Sequence, residues 1–333
     1  VNKLVFKDDF KFNKVHCCYF PTSIYLPGHY LWNSYKYSRW IYETISREKI
    51  NYDFIYAKGF TSWKLLKVRN KEKLNFKIGV KFHGYEMYQY APNFKIKLQH
   101  LMLRPFVRWI NRQADFIFSY GGEITSIIKK NGVSHAKIIE LPSGVSREYV
   151  REEDLQINDK IRFLFIGRNE RRKGIEEIFS SIEKIKEINS PLEFHFIGPI
   201  NEKHISTLSN IKLFYHGLIK DENQKKQLID KCDVLLCPSY SEGMPNVIFE
   251  AMARGLAIIA TDVGAISLLV DSKNGRLIKE LNSVSLIDSI NSIILEKDKL
   301  IFLKKESISR IRNYYLWDEI SNEFISLIEE KIN

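Results

Sequence analysis

The chain has 333 residues, which suits two domains of ordinary size. Its hydrophobic fraction of 44% allows full cores, and because it lacks a run of about 18 apolar residues, we expect no membrane-spanning helix. The first residues lack the apolar segment of a signal peptide, and Cys17, Cys18, Cys232 and Cys237 show neither a disulfide framework nor the spacing of zinc ligands. We therefore expect a protein of the reducing cytoplasm that holds no metal.

The net charge of +11 is concentrated in one half of the chain. Residues 1–150 hold 25 Lys and Arg against 11 Asp and Glu, whereas residues 151–333 hold 26 against 29. This asymmetry indicates an acidic partner for the first half, namely anionic lipid, a phosphorylated acceptor or nucleic acid, and a lysine-rich solvated surface is the alternative. The positive charge alone suggests nucleic acid, and the sequence shows no motif that recognises it. We therefore expect no nucleic-acid partner.

Short apolar runs alternate with helical patterns through the first half. They predict strands at 53–57, 76–80, 115–118 and 137–139, and helices near 34–48, 94–113 and 122–131. Such alternation is typical of a doubly wound α/β domain. The helix near 94–113 interleaves apolar, aromatic and basic residues, as helices lying on a membrane surface do, and Pro105 should kink or interrupt it. Ordinary packing between domain layers is the alternative for this helix.

The second half repeats the same alternation after a charged linker at 151–154. Its apolar runs predict strands at 162–167, 193–198, 211–217, 233–237 and 257–260. A final helix follows Tyr315 and runs to the end of the sequence. The pattern predicts a second α/β unit.

The most informative segment runs from Glu242 to Gly255, between two predicted strands. Ligands of parallel α/β sheets bind beyond the carboxyl ends of strands, and free N–H groups at the start of a helix favour a phosphate. We expect Asn246 to cap this helix and Gly255 to follow its end. Glu250 lies among apolar neighbours and is costly there unless it is paired. A sugar cis-diol would supply two hydroxyl donors, and a lysine or a neighbouring helix is the alternative partner.

This segment resembles the E-x7-E signature of retaining GT-B glycosyltransferases related to glycosyltransferase family 4, the glycosyl transferases group 1. The resemblance implies an α/β protein with two Rossmann-like domains that face a cleft. We expect an acceptor-side domain at 1–150, a nucleotide-sugar-binding domain at 151–315, and a helix at 316–333 that crosses back to the first domain. The family signature implies that Glu250 holds the ribose of the donor and that Glu242 lies by the donor sugar.

The segment from Gly167 to Gly174 resembles the G-R-x4-K-G element of the same family. There, Arg168 and Lys173 would neutralise the donor diphosphate, whose charge grows as the glycosyl–phosphate bond breaks. The sequence contains no Asp-x-Asp motif, so these two cations plausibly replace a metal. We expect Arg171 and Arg172 to face solvent.

The remaining expected site residues surround the same cleft. His83, in a His-Gly element after the strand at 76–80, would contact the donor sugar from the opposite side, and a satisfied loop histidine is the alternative. The set of catalytic residues is then Arg168, Lys173, Glu242 and His83. The donor-binding set is Glu250, Gly243, Met244, Pro245, Asn246, Val247, Gly167, Pro199 and Leu218.

The chain departs from the family pattern at its start. Members begin with a strand and a Gly-rich loop, and no Gly-Gly element precedes the strand at 53–57. We expect this element to be missing, which leaves open whether this polypeptide is active.

We expect a retaining, metal-independent hexosyltransferase of bacterial surface polysaccharide synthesis. Its partners would be a UDP- or GDP-sugar, a glycan or lipid-linked acceptor, and the anionic inner face of the cell membrane. It needs no cofactor besides the nucleotide-sugar substrate. The rival is a catalytically inactive GT-B binding or scaffolding subunit. A dinucleotide-dependent oxidoreductase lacks a G-x-G-x-x-G after any predicted strand.

Overall fold

The structure is a computed structural model, which describes residues 16–17, 19–21, 28–48, 50–72, 74–152, 155–156, 159–185, 191–203 and 209–332. The described residues form two parallel sheets, one of four strands and one of six. We call the parts built on these sheets the first lobe and the second lobe. The predicted α/β class is confirmed. The expected absence of an initial strand and Gly-rich loop concerns the start of the chain, most of which lies outside the described residues.

The strands follow the predicted positions closely. They are β1 Phe54–Lys58, β2 Lys77–Lys81, β3 Phe116–Ser119, β4 Ile138–Glu140, β5 Ile161–Ile166, β6 Leu192–Ile197, β7 Ile211–Tyr215, β8 Val234–Cys237, β9 Ala257–Thr261 and β10 Gly275–Ile278. The sequence prediction missed β10, a four-residue strand that follows a turn.

Ten helices cover the sheets in the described part of the chain. They are α1 His29–Glu48, α2 Trp63–Glu72, α3 Phe94–Gln113, α4 Gly122–Lys130, α5 Ile175–Lys184, α6 Glu222–Asp230, α7 Asn246–Ala253, α8 Ser283–Leu295, α9 Leu300–Tyr314 and α10 Trp317–Ile332. The helix α3 begins where Asn93 accepts a hydrogen bond from the Ile96 N–H at 2.9 Å. It continues through Pro105 without a break, so the expected interruption does not occur. None of the helices in the described ranges is long and apolar enough to cross a membrane.

The order of strands brings two motif loops together. The first sheet has the order β1-β2-β3-β4, and the second has the order β10-β9-β8-β5-β6-β7. In the second sheet, β5 pairs with β8 on one side and with β6 on the other, so the strand order reverses between β5 and β8. Ligands of open α/β sheets bind at such a switch point, beyond the carboxyl ends of the strands. The loops that follow β5 and β8 are the two that carry Lys173 and Glu242.

The cores explain why these apolar runs form strands. Every residue of β6, β8 and β9 is buried, as expected for central strands covered by helices on both faces. The helix α10 packs on the first sheet, where Ile320 and Ile328 join Phe118 and Ile139 in one buried cluster. The first lobe therefore takes part of its core from the last helix of the chain.

The chain crosses between the lobes at two adjacent places. The Val145 N–H donates to the Tyr315 carbonyl oxygen at 2.9 Å, and the Trp317 N–H donates to the Val145 carbonyl oxygen at 3.1 Å. The two crossing segments are therefore bonded to each other.

Candidate functional site

Glu242 is buried in the loop that follows β8. Its side chain is 9% exposed, and its Oε1 lies 2.6 Å from Lys173 Nζ. The Ser239 hydroxyl donates to the same oxygen at 2.8 Å, and Arg172 Nη1 lies 3.9 Å from it. Burying a carboxylate is costly, and here one lysine and one hydroxyl compensate that cost.

Gln89 holds the Glu242 backbone from the first lobe. Its Nε2 donates to the Glu242 carbonyl oxygen at 2.7 Å, and its Oε1 accepts from the Glu242 N–H at 3.1 Å. The next residue, Gly243, lies against the His83 carbonyl so closely that a Cβ would overlap that oxygen. Only glycine fits at this contact between the lobes.

His83 lies in the first lobe, directly against the Glu242 loop. Its ring is exposed, and its Nδ1 lies 3.2 Å from the Tyr120 hydroxyl. Its main-chain carbonyl faces Gly243. The structure thus brings His83 beside the second lobe, with one ring nitrogen already engaged by a tyrosine.

The turn after β5 places Lys173 at the cleft. Gly174 has a φ of +69°, and a Cβ there would overlap the carbonyl oxygen of Pro238, which follows β8. Glycine permits this close approach. The turn therefore lies directly against the β8 loop, and Lys173 reaches Glu242. Two motifs that are far apart in sequence therefore meet in one ion pair.

Arg168 and Arg172 extend this ion pair toward solvent. Arg168 is 68% exposed, and its Nε lies 3.0 Å from Glu170 Oε1. Glu170 Oε2 in turn lies 2.9 Å from Arg172 Nε. The expectation that Arg172 faces solvent is wrong, since its side chain is 28% exposed and reaches toward Glu242. Arg171 is exposed, as expected, although it pairs with Glu177.

Glu250 lies on α7, and a lysine from α6 approaches it. Lys225 Nζ is 3.3 Å from Glu250 Oε1 and 3.0 Å from Glu222 Oε2. Burial raises the pKa of Glu250 above its ordinary value, and the charge of Lys225 only partly offsets this. For Lys225, burial lowers the pKa, but the two carboxylates more than compensate and leave it raised. The structure thus shows the lysine pairing that was the alternative to a sugar diol.

The start of α7 differs from the sequence prediction. Pro245 is the N-cap, Asn246 is the first helical residue, and Gly255 follows the helix with a φ of +78°. Asn246 does not cap the helix because its own backbone is already helical, and its Oδ1 lies 3.4 Å from the Ser143 hydroxyl across the cleft. Met244 is buried, and its sulfur accepts from the Ser143 N–H at 3.2 Å.

The other expected donor contacts line the ends of neighbouring strands. The Gly167 N–H donates to the Ile197 carbonyl oxygen, and the Gly198 N–H donates to the Gly217 carbonyl oxygen, so the loops after β5, β6 and β7 are tied together. Pro199 is exposed and Leu218 is 67% exposed at this edge. Val247, in the first turn of α7, is half-buried.

Sequence reasoning missed Gln89, Lys225 and Ser239. Each acts through the tertiary fold, and only Ser239 lies close enough in sequence to the Glu242 motif to be suspected from it. Gln89 and Lys225 lie in segments without a motif, so their local sequence carries no signal.

The family model described as glycosyl transferases group 1 matches residues 160–296, which include β5, the Lys173 turn, Glu242 and Glu250. Over these residues, the second lobe is similar to the glycosyl transferases of group 1.

Curated glycosyltransferases are similar to parts of this chain. A Bacillus subtilis (strain 168) protein named for a role as a teichuronic acid biosynthesis glycosyltransferase, TuaC, is 35% identical over 127 residues, which are 38% of this chain and 31% of that protein. The N,N'-diacetylbacillosaminyl-diphospho-undecaprenol alpha-1,3-N-acetylgalactosaminyltransferase of Campylobacter jejuni is 24% identical over 251 residues, which are 73% of this chain and 65% of that protein. The matches thus span about a third to two thirds of these relatives.

Solved structures share the GT-B fold of this chain. The sucrose-phosphate synthase of Thermosynechococcus elongatus superposes with a TM-score of 0.73 at 18% identity, covering 92% of this chain and 80% of that one. Anabaena HepE in complex with UDP-glucose superposes with a TM-score of 0.64 at 16% identity, covering 92% of this chain and 84% of that one. The expectation of a GT-B architecture is confirmed.

Proposed function

We propose that this chain is a glycosyltransferase that moves a sugar from a nucleotide-sugar donor to a glycan or lipid-linked acceptor in surface polysaccharide synthesis. The observation that carries the proposal is the meeting of Lys173 and Glu242 at 2.6 Å. Each residue belongs to a separate donor-site motif, and the strand order places both at the switch point of the second sheet.

The donor would lie along the start of α7. Glu250 would accept two hydrogen bonds from the ribose diol, and Lys225 would remain with Glu222. Because burial raises the pKa of Glu250, its ionised form gains from new donors when a ribose arrives. The bound UDP-glucose in the HepE structure supports a UDP-sugar as donor, and a GDP-sugar remains a second choice to be screened.

Lys173 and Arg168 would hold the diphosphate of the donor. Lys173 is 18% exposed, so it can face Glu242 and a phosphate at once, whereas Arg168 is exposed and would close on the ligand. Neutralising the leaving diphosphate lowers the barrier because negative charge grows there in the transition state. We propose that these cations perform this task without a metal.

The reaction would retain the configuration of the sugar. The bond between the anomeric carbon and the phosphate oxygen breaks, the acceptor oxygen bonds to that carbon from the same face, and its proton passes to the leaving phosphate. Glu242, neutralised by Lys173, would contact the donor sugar, and the His83 carbonyl would approach it from the first lobe. Gly167, Pro199 and Leu218 would surround the base at the ends of β5, β6 and β7.

The test is turnover with UDP- and GDP-sugars. We expect hydrolysis of one donor to persist in EDTA, and we expect Lys173→Met to lower kcat about 10²- to 10³-fold. Lys184→Met is the matched control, because Lys184 lies on α5 and contacts only the Ser283 hydroxyl among the described side chains. NMR of the product should show the α configuration of the donor kept.

Three results would contradict parts of this proposal. A strict need for added Mg²⁺ or Mn²⁺ would refute metal independence, and an inverted product would refute retention. Donor binding without any turnover would favour the inactive scaffolding subunit.

We further propose that α3 docks on the anionic inner face of the membrane. Phe94, Leu98, Leu101 and Met102 are 81%, 51%, 47% and 43% exposed and follow helical spacing along one face. Exposed Lys95, Lys97, Arg108 and Arg112 accompany them. An exposed apolar stripe beside basic side chains is complementary to an anionic bilayer.

A further inference from the structure

A cavity of about 700 Å³ is lined mainly by the first lobe and reaches the start of α7. It extends over the carboxyl ends of β1 and β2, where Lys58 and Lys81 line it. His83 and Asn246 line its end at the cleft. This volume lies within the range of small-molecule sites, so the cavity can admit a ligand that reaches the donor loop.

Two lysines lie side by side on its floor. Lys58 and Lys81 are direct partners in the parallel ladder of β1 and β2, so their backbones are roughly 5 Å apart. Like charges at directly paired positions destabilise a sheet. Within the described ranges, neither ammonium forms an ion pair with a carboxylate. Glu86 also lines the cavity, but it supplies one negative charge against two positive ones.

Lys81 is fixed in position toward this cavity. Its Nζ donates to the Leu141 carbonyl oxygen at 3.0 Å and lies 3.9 Å from the centre of the Tyr120 ring. Burial, with a smaller contribution from Lys58, lowers the pKa of Lys81 to about 8. Keeping this ammonium charged is therefore costly, and an anion between the two lysines would relieve that cost.

The walls of the cavity are aromatic. Tyr30 and Trp317 line it and are 49% and 43% exposed, and Phe60 and Phe82 lie deeper. Such rings offer apolar faces to the C–H side of a sugar or to a hydrocarbon chain. A ligand that matches this cavity carries a phosphate and, attached to it, a sugar or an apolar group.

We propose that this cavity binds a phosphate-bearing acceptor, with its phosphate between Lys58 and Lys81 and its sugar or apolar part against the aromatic rings. The proposal rests on the glycosyltransferase function proposed above, because it makes the cavity the acceptor side of that reaction. A polyprenyl diphosphate-linked saccharide and a free sugar phosphate share this chemistry.

Binding to the intact chain tests the proposal. The probes are geranyl diphosphate, glucose 1-phosphate and uncharged methyl glucoside, titrated by calorimetry with UDP at saturation so that the donor phosphate site is filled. We expect a phosphate probe to bind, and we expect Lys58→Gln with Lys81→Gln to weaken it about 10-fold or more. Tighter binding of geranyl diphosphate indicates a lipid-linked acceptor, and tighter binding of glucose 1-phosphate indicates a soluble one.

Lys77→Gln is the matched control. Lys77 is exposed on the same strand as Lys81 and does not line the cavity, so its loss removes one positive charge without changing the site. We expect the affinity for the phosphate probe to be unchanged in this variant. A rise in the Tm of the double variant on addition of UDP would show that its donor site is intact.

Two outcomes would overturn the proposal. One is phosphate affinity that is equal in the parent and the double variant, and the other is binding of methyl glucoside alone. A failure of UDP to stabilise the parent chain would instead refute the proposed donor site, because that measurement does not involve Lys58 or Lys81.

Discussion

Lys173 Nζ lies 2.6 Å from Glu242 Oε1, although 69 residues separate the two in sequence. The pairing neutralises a buried carboxylate, and in the proposed function it also holds a cation for the donor diphosphate. A similar pairing of Lys225 with Glu250 occurs at the other end of the motif. Both glutamates of the motif are thus paired with lysines before any ligand binds.

Replacing Glu250 should separate nucleotide binding from stability. We expect Glu250→Gln to lose the rise in Tm that UDP produces, because a charged hydrogen-bond acceptor contributes roughly 1.5–3 kcal/mol, or about 10- to 150-fold in affinity. Without ligand, the variant should melt no lower than the parent, because burial penalises the ionised carboxyl. Glu222→Gln is the control, since Glu222 shares Lys225 but is 66% exposed. Equal stabilisation by UDP in parent and variant would refute the role of Glu250.

Two separable effects should make glycine necessary at position 174: its left-handed backbone conformation and its close approach to Pro238. Gly174→Ala places a Cβ at a φ of +69° and against the Pro238 carbonyl oxygen, whereas Gly217→Ala meets a similar φ of +63° with open space around it. In urea denaturation, we expect the free energy of unfolding to fall by about 1–3 kcal/mol more in the first variant than in the second, because overlap with the backbone adds to the strain. If both substitutions lower the free energy of unfolding by the same amount, the β5 and β8 loops do not approach each other as closely as described.

Lys81 should make the free energy of unfolding depend on pH. The folded protein releases the Lys81 proton near pH 8, whereas the unfolded chain keeps it up to about its ordinary pKa of 10.5. Between these values the unfolded state binds more protons, so stability rises with pH. Relative to Lys81→Met, we expect the parent to gain about 1–3 kcal/mol between pH 8 and pH 10.5.

Chemical denaturation at pH 7, 8, 9 and 10.5 measures this difference, because contributions that the two proteins share cancel in it to first order. A constant difference across the range would show that Lys81 titrates normally in the folded protein.

The basic and apolar face of α3 should bind anionic vesicles. We expect co-sedimentation with vesicles containing phosphatidylglycerol and none with neutral vesicles, because each basic residue near such a surface contributes on the order of 1 kcal/mol. Replacing Lys95, Lys97, Arg108 and Arg112 by Gln should abolish it, and so should 1 M salt, at which the Debye length is about 3 Å. Arg104 is left in place because its Nε donates to the Met87 carbonyl oxygen at 2.8 Å and supports the fold.

Lys129→Gln with Lys130→Gln is the control for charge, since both residues are exposed at the end of α4. If the protein co-sediments with neither anionic nor neutral vesicles, the basic half is ordinary solvated surface.

The fold was predictable from sequence where local pattern decides it. The apolar runs around Phe163 and Leu235 lie in buried strands because only a sheet covered on both faces accommodates them. Pattern alone missed β10, which has only four residues, and it assigned Asn246 as a cap although Pro245 takes that position. Glu242, Glu250 and Lys173 carried a motif signal. Their partners Ser239, Lys225 and Gln89 depend on the order of strands and the approach of the lobes, which short sequence windows do not contain.

The packing of α10 on the first sheet has a consequence for how the chain folds during synthesis. Ile320 and Ile328 complete a core whose other buried members, Phe118, Ile139 and Leu141, are made nearly two hundred residues earlier. The first lobe therefore keeps an uncovered apolar face until α10 has been made, while the second lobe, which lies within an uninterrupted stretch of chain, can form before it. Domains usually fold from the N-terminus onward during translation. Here the C-terminal lobe is free to finish first, and cutting the chain before residue 317 would leave the first lobe prone to aggregate.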